Sequence, residues 1–332
     1  MKMKRSMVLL LSCLLFVTLI FSGCSGGTAG PSSQNQPAGN ASSDKGKKIV
    51  VGVSIPDFSA MFFTYLLAGA KKYAESQTDV NVIYNDAQND ANKQVSQVET
   101  FIAQKVNAIV IIPVDTVSAP TIVEKANQAN IPIIIVNRTF DGIDKATAYV
   151  GGSSIQSGTI EMEQVAKLLN GKGNIAIMDG TMGAEAQIKR TEGNMQVITK
   201  YPDMKVVLQG SGDFDRAKGM SLMENWLNSG KPIDAVVANN DEMAIGAINA
   251  IKAAGKMKDI LVAGIDATPD ALEFIKSGEL KVTVFQDAYG QGAGGLEAAI
   301  KAAKGEHVEH DNFIPYQLVT KENVEEYVKK WK

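Results

Sequence analysis

Asn137-Arg138, Asp179, Asp213, Asn239-Asn240-Asp241, Asp266 and Gln286-Asp287 each stand at the end of a short apolar run or within a few residues of it. Their chemistry is complementary: Asn and Gln both donate and accept, an ionised Asp only accepts, and Arg presents a planar fork of donors. Phe58, Phe62, Phe63 and Phe214 fall in neighbouring segments, and an aromatic face covers the apolar C–H side of a ring. A ligand that answers to all of these groups is a polyhydroxylated ring. Any one polar residue in such a place also suits a helix cap or a turn. The succession of Asn, Arg and Gln at one strand end after another is what favours binding.

Other chemistries find less support. Gly290-Gln-Gly-Ala-Gly-Gly295 matches the spacing of a dinucleotide fingerprint, but no full βαβ unit with a ribose-binding acid follows it, so close helix packing is the better reading. Gly23-Cys-Ser-Gly-Gly27 has the spacing of a nucleophile elbow but lies in a processing site, and no Walker loop occurs. His307 and His310 are the only histidines and sit among Glu306, Glu309 and Asp311, a pattern of a solvated surface rather than a metal site. Asp86-Ala-Gln-Asn-Asp90 lacks the glycine and the distal Glu of a calcium loop. The expectation is a protein that is not an enzyme and has no cofactor and no metal. A formal charge of -3 argues against a nucleic-acid partner, which calls for a basic surface.

The elements that must position these residues alternate. Strands are predicted at Ile49 to Ile55, Val80 to Tyr84, Ala108 to Pro113, Ile131 to Val136, Ile175 to Asp179, Val206 to Gln209, Ala235 to Ala238, Ile260 to Ile265 and Val282 to Phe285, with a very short one at Ala148 to Val150. Continuous β-branched runs such as Ile133-Ile134-Ile135-Val136 suit strands covered on both faces. Helical periods lie between them; Ala91 to Gln104 places Val95, Val98, Phe101 and Ile102 on one face. The run Asn107 to Pro113, a helix, then Ile131 to Arg138 is echoed by Asp234 to Asn240, a helix, then Ile260 to Asp266. The fold class is therefore α/β, with two similar lobes, each a doubly wound, mainly parallel sheet flanked by helices. In such sheets the carboxyl ends of the strands line the ligand crevice, where the polar residues above are found.

The chain has 332 residues, of which 45% are hydrophobic and 21% charged, but its start differs from its body. Lys2, Lys4 and Arg5 precede an apolar stretch from Met7 to Phe21, then Ser22 and Gly23 before Cys24, a secretory leader too short to span a bilayer. Phe21-Ser22-Gly23-Cys24 resembles a bacterial lipobox, whose cysteine is acylated after cleavage; Cys13 is a poorer candidate. Cleavage there removes three basic residues and leaves a single cysteine, so no internal disulfide can form. Ser25 to Lys48 holds Gly, Ser and Pro and no aliphatic or aromatic side chain larger than Ala, a flexible tether of roughly 25 to 30 Å.

Several segments together carry a family resemblance across Ile49 to Thr320: Phe62-Phe63, Ala126-Asn-Gln-Ala-Asn-Ile-Pro-Ile, Asp213-Phe-Asp-Arg216, Asn240-Asp-Glu-Met-Ala244 and Gly264-Ile-Asp-Ala-Thr-Pro-Asp270. The body resembles the ribose-binding-protein family of bacterial ABC-transporter solute receptors, of the periplasmic-binding-protein-like I fold. The resemblance implies two lobes joined by a three-segment hinge, with a sugar bound between them. It divides the chain into a signal peptide (1–23), a lipidated Cys24 with its tether (24–48), an N-terminal lobe (49–151 plus 287–315) and a C-terminal lobe (152–286 plus 316–332).

Carried over by residue, the family's ring-stacking aromatics fall on Phe62, Phe63 and Phe214, and its hydroxyl-binding groups on Arg138, Arg190, Asn240, Asp266 and Gln286. Ala60 stands where the ribose pattern has an Asn, and Asn137 replaces an Asp; Asn137 is counted among the ligand-binding residues. These departures alter which hydroxyls are satisfied, and the family also holds receptors for other pentoses, hexoses and inositol. The implied function is capture of a monosaccharide, or alternatively inositol or another cyclic polyol, for delivery to an ABC permease with its ATPase. The receptor is expected to be exported, lipid-anchored at the outer face of the cell membrane or at a periplasmic membrane leaflet, and monomeric. A sugar-responsive repressor shares such a body in a related family but begins with a helix-turn-helix where this chain has a leader, and a sugar-processing enzyme lacks a nucleophile and base here.

Overall fold

The computed structural model describes residues 48–331. The expected signal, the lipobox cysteine and the tether up to Lys47 lie outside the described residues. The first lobe begins with β1 (Ile49–Ile55), α1 (Met61–Glu75), β2 (Val80–Asp86), α2 (Ala91–Ala103), β3 (Ala108–Ile111), α3 (Ala119–Gln128), β4 (Ile133–Val136) and β5 (Ala148–Gly151). The chain then enters a second lobe through α4 (Ser154–Leu168), β6 (Lys172–Asp179), α5 (Glu185–Ile198), β7 (Asp203–Ser211), α6 (Arg216–Asn228), β8 (Ala235–Ala238), α7 (Asp241–Ala253), β9 (Leu261–Ala263), α8 (Pro269–Ser277) and β10 (Thr283–Phe285). It returns to the first lobe for α9 (Ala288–Ala303) and β11 (Asp311–Phe313), and ends in the second with β12 (Gln317–Val319) and α10 (Val324–Val328). Three passages thus join the lobes, after β5, after β10 and after β11.

The first sheet runs β11-β5-β4-β3-β1-β2 and every pairing in it is parallel. The second runs β7-β6-β8-β9, also parallel, and bridges at Ala263–Val282 and Asp266–Phe285 add β10 to its edge. The lone antiparallel partner among the described strands is β12, beside β10. Both faces are covered, which explains the uninterrupted apolar runs. Ile134 and Val136 face the core under α1 and α9, whereas Ile133 and Ile135 face the core under α2 and α3. The second lobe repeats the pattern, with Met178 and Ala238 on one face and Ile177 and Val237 on the other. Each sheet is therefore wound on both sides.

The predicted bounds coincide with β1 and β8; elsewhere strands differ at their ends. β7 starts at Asp203 and finishes at Ser211, beyond its apolar centre, because backbone pairing with β6 carries polar edge residues along. β11 and β12 have no apolar run to announce them and form by adding three-residue edges to existing strands. In α9, Gly292 lies against the Leu66 backbone carbonyl of α1 with no space for a Cβ, so the glycines of the 290–295 run allow two helices to approach closely.

The end of the chain crosses between lobes. Trp331 rests 4.6 Å from Tyr65 of α1 and 5.6 Å from Tyr289 of α9, ring centre to ring centre. Its indole N–H donates to the Ala267 carbonyl of the second lobe at 2.9 Å. Among the described residues no helix is long and apolar enough to cross a membrane.

Candidate functional site

The carboxyl ends of the two sheets face each other across a cavity of about 180 Å³. Loops after β1, β2, β4, β6, β7, β8, β9 and β10 supply its walls, which is where the crevice of an open parallel sheet is expected. All nine sequence-predicted ligand residues lie on this wall: Phe62, Phe63, Asn137, Arg138, Arg190, Phe214, Asn240, Asp266 and Gln286. Cys24 lies outside the described residues.

The aromatic part comes from both lobes. Phe62 and Phe63 open α1 and pack edge to face, their centres 5.8 Å apart. Phe214 reaches in from the second lobe on a tight turn in which both Asp213 and Phe214 have positive φ. Between Phe63 and Phe214 lies the Arg138 guanidinium, 5.3 Å from one ring centre and 5.8 Å from the other. Both contacts lie within cation–π range.

Arg138 follows β4 directly and is 5% exposed. Its Nη1 donates to the carbonyls of Pro113 at 3.0 Å and Val114 at 3.2 Å, and its Nε has no partner among the described residues. Burial lowers its pKa to about 10, with Glu185 opposing that shift, so it is still a cation at neutral pH. Among the described residues no carboxylate lies within ion-pair distance of it. Arg190 on α5 is equally buried; Nη1 donates to the Asn239 carbonyl and stands 3.7 Å from Asp266 Oδ1, while Nε has no partner among the described residues. Two buried guanidinium groups in the cavity wall thus retain donors without a partner among the described residues, a costly state unless something else accepts from them.

Asp266 faces Arg190. Burial pushes its carboxyl above the ordinary value, and the Arg190 charge and the Gln286 amide pull it back. Gln286 donates to Asp266, and its oxygen accepts from Asn137 Nδ2 at 3.2 Å and from the Tyr316 hydroxyl at 3.0 Å. Asn137, at φ 67, also donates to Gln291 Oε1 at 2.8 Å. Its two amide hydrogens are committed to the protein, which leaves its oxygen toward the cavity. Asn240 is committed at both ends: Oδ1 accepts from the Met243 N–H as the cap of α7, and Nδ2 donates to the Phe214 carbonyl at 3.3 Å. It shapes the wall by holding Phe214 in place.

Sequence reasoning missed part of the rim. Arg216 forms a forked pair with Glu242, both bonds 2.8 Å, and reaches Asp270 at 2.9 Å. Both Arg216 and Glu242 line the cavity mouth with Asp57, Asn89, Asp213 and Asp215. Arg216 and Glu242 stood inside quoted motifs, but no spacing rule connects residues on different helices. Asp179 does not line the cavity; it accepts from Thr191 and Gln209 behind the wall. Asp287 caps α9 through the Gly290 N–H.

Two hydrogen bonds also bridge the lobes outside the cavity lining. Thr139 donates to Glu185 Oε1 at 3.1 Å, with Ser154 on the other carboxylate oxygen, and the Thr116 N–H donates to the Gly183 carbonyl at 3.3 Å. Among the described residues no three His, Cys, Asp or Glu side chains group as metal ligands. A ring bearing hydroxyls fits what is present: donors from two guanidinium groups, acceptors at Asp266 and Asn137, and phenyl faces above.

Residues 51–307 match the family described as a periplasmic binding protein domain. The chain belongs to that family. Periplasmic binding proteins are solute-binding proteins and not an enzyme family, and the family implies export. The relatives include a protein of Rhizobium meliloti assigned to rhizopine binding, 42% identical over 283 residues that cover 83% of this chain and 92% of that protein. The ribose import binding protein of Bacillus subtilis is 34% identical over 318 residues, 96% of this chain and 99% of that one. A solved ABC transporter solute-binding protein of Bacillus halodurans C-125 with bound myo-inositol is 60% identical, with a TM-score of 0.84 over 87% of this chain and 99% of that chain. These periplasmic binding proteins share the α/β fold of two parallel sheets.

Proposed function

We propose that this periplasmic binding protein is the receptor of an ABC import system and captures a monosaccharide or cyclic polyol, with myo-inositol the foremost candidate. The observation that carries the reading is the buried pair Arg138 and Arg190 in the cavity wall, each with an Nε that has no partner among the described residues, and the Asp266 carboxylate 3.7 Å from Arg190. Neutral hydroxyls satisfy such donors and acceptor without bringing in an unpaired charge. The family membership and the myo-inositol held by the 60% identical structure support the same reading.

The nine wall residues are proposed as the ligand contacts, and the lobes as rigid bodies made of 49–151 plus 287–315 and of 152–286 plus 316–332. A ligand bridging Arg138 and Phe63 of one lobe to Arg190 and Phe214 of the other makes more contacts when the lobes are closed. That difference in affinity shifts the population toward closure. The closed form passes the ligand to a permease driven by a separate ATPase. Acylation of Cys24 would tether the receptor, as a monomer, to the outer face of the membrane.

The test is a thermal-shift screen of the purified protein with myo-inositol, other cyclic polyols, pentoses and hexoses, followed by calorimetric titration. A ligand at 100 times its dissociation constant adds about 2.7 kcal/mol of stability. Silence across the whole screen would refute the sugar or polyol reading. For the anchor, Cys24→Ala should abolish incorporation of a radiolabelled fatty acid; unchanged labelling would remove it.

A further inference from the structure

Asp266 and the residue after it occupy an unusual backbone conformation. Their φ angles are 135° and 52°, two successive positive values at non-glycine positions, which L residues keep only where the surroundings hold them. The turn sits between β9 and α8 and carries the Asp266 carboxylate, which lines the cavity and faces Arg190. What holds it lies one layer deeper.

The Ala267 N–H donates to Thr283 Oγ1 at 3.1 Å, and the Thr268 N–H donates to Asp241 Oδ2 at 3.2 Å. The Thr283 hydroxyl donates in turn to Asp241 Oδ1 at 2.7 Å. The Asp241 N–H is fixed to the Ile265 carbonyl at 2.8 Å. Both carboxylate oxygens of Asp241 are therefore committed to one turn, one directly and one through Thr283. Asp241 is fully buried, does not line the cavity although Asn240 and Glu242 on either side of it do, and has no cation within ion-pair distance among the described residues. A buried carboxylate without a cation is expensive. Its place in the first turn of α7 offsets part of that cost, since a helix N-terminus favours negative charge.

We infer that Asp241, acting through Thr283, is a positioning residue that aims Asp266 at the ligand. It touches no ligand itself; it fixes the direction of the carboxylate that does. The inference rests on the reading of the cavity as a sugar or polyol site. A rival account makes Asp241 and Thr283 plain supports of the second lobe, and a double-mutant cycle separates the two.

Myo-inositol is titrated calorimetrically into the wild type, Thr283→Val, Thr283→Ser, Asp266→Asn and the Thr283→Val/Asp266→Asn pair, with the weaker variants read up to millimolar ligand. Thr283→Val keeps the shape and removes the hydroxyl; it should weaken binding about tenfold, the scale of one lost hydrogen bond in a buried network. Thr283→Ser, which retains the hydroxyl, should stay within about twofold of the wild type. In the Asp266→Asn background the loss from Thr283→Val should shrink to about twofold or less, because there is no longer a carboxylate to aim. Equal losses in both backgrounds, or no loss in either, overturn the proposal while leaving the site intact. If Thr283→Val folds poorly, Asp241→Asn in the same two backgrounds gives the same comparison. A wild type that binds neither myo-inositol nor any sugar of the screen overturns the functional reading and this inference with it.

Discussion

The Asn137 side-chain amide donates to the Gln286 oxygen, which also accepts from the Tyr316 hydroxyl, and these bonds fix which way the Gln286 amide points. Gln286, with its oxygen occupied, turns its own amide hydrogens to Asp266. An aspartate at position 137 could not donate. It would set its carboxylate against the oxygens of Gln286 and Gln291, and a flip of Gln286 would then present an oxygen to Asp266. Asn137→Asp should therefore destabilise the protein by about 1 to 3 kcal/mol for each buried group left unpaired, and weaken every ligand together. With both amide hydrogens of Asn137 held by Gln286 and Gln291, only its oxygen is left to meet a ligand. Thermal denaturation and titration against several sugars check the point; a changed ranking at unchanged stability would contradict it.

Arg190 is tied to the Asn239 carbonyl and faces Asp266. Arg190→Ala and Asp266→Ala should each weaken the ligand by about 2 to 5 kcal/mol, because a charged partner is lost and its counterpart is left buried. Calorimetric titration decides, with circular dichroism to confirm folding; folded variants of wild-type affinity would dissolve the assignment.

Glu161 on α4 gives a pH signature opposite to that of a salt-bridged acid. It is fully buried, accepts from Asn194 Nδ2 at 3.1 Å, and leaves its other oxygen without a partner, as Asn194 leaves its own. Burial pushes its carboxyl well above the usual 4.5. Between the unfolded and folded values the native state holds a proton that the unfolded chain has released, so stability falls as pH rises through that interval. One such group contributes up to about 1.4 kcal/mol per pH unit. The ligand-free protein should melt higher near about pH 5.5 than near about pH 8. Glu161→Gln keeps at every pH a donor that the carboxyl has only when protonated, and should raise stability at the upper pH and flatten the dependence. A variant less stable than wild type at both values would count against a neutral Glu161.

Gly180 lies under the Phe214 ring, and a Cβ there would overlap it. Gly180→Ala should push Phe214 out of the cavity and weaken ligand about as much as Phe214→Ala does, on the order of tenfold or more for a lost ring face. Combining the two changes should give little further loss, and additive losses would separate Gly180 from Phe214.

The fold was legible where burial is uniform. Ile133-Ile134-Ile135-Val136 could only be a strand covered on both sides, and the polar residues just past such runs point into the crevice because strand ends converge there. The Arg216 pairs with Glu242 and Asp270 could not be foreseen, since they join residues 26 and 54 positions apart on three helices. Glu161 and Asn194 were hidden for another reason: each is a polar residue on a helix whose period sets which face is inward but not which polar groups will share it. The direction of the Asn137 amide was equally out of reach, because both its acceptors come from a distant stretch of chain.

The chain has two tryptophans, and they occupy different mechanical settings. Trp226 is embedded in the core of the second lobe and moves with it. Trp331 lays its ring on tyrosines of the first lobe and anchors its N–H to a carbonyl of the second. Any change in the angle between lobes must alter the surroundings of the second indole and leave those of the first as they were. Its ultraviolet emission thus contains a steady internal reference and a component that follows the hinge, so opening and closing can be timed in the unlabelled protein.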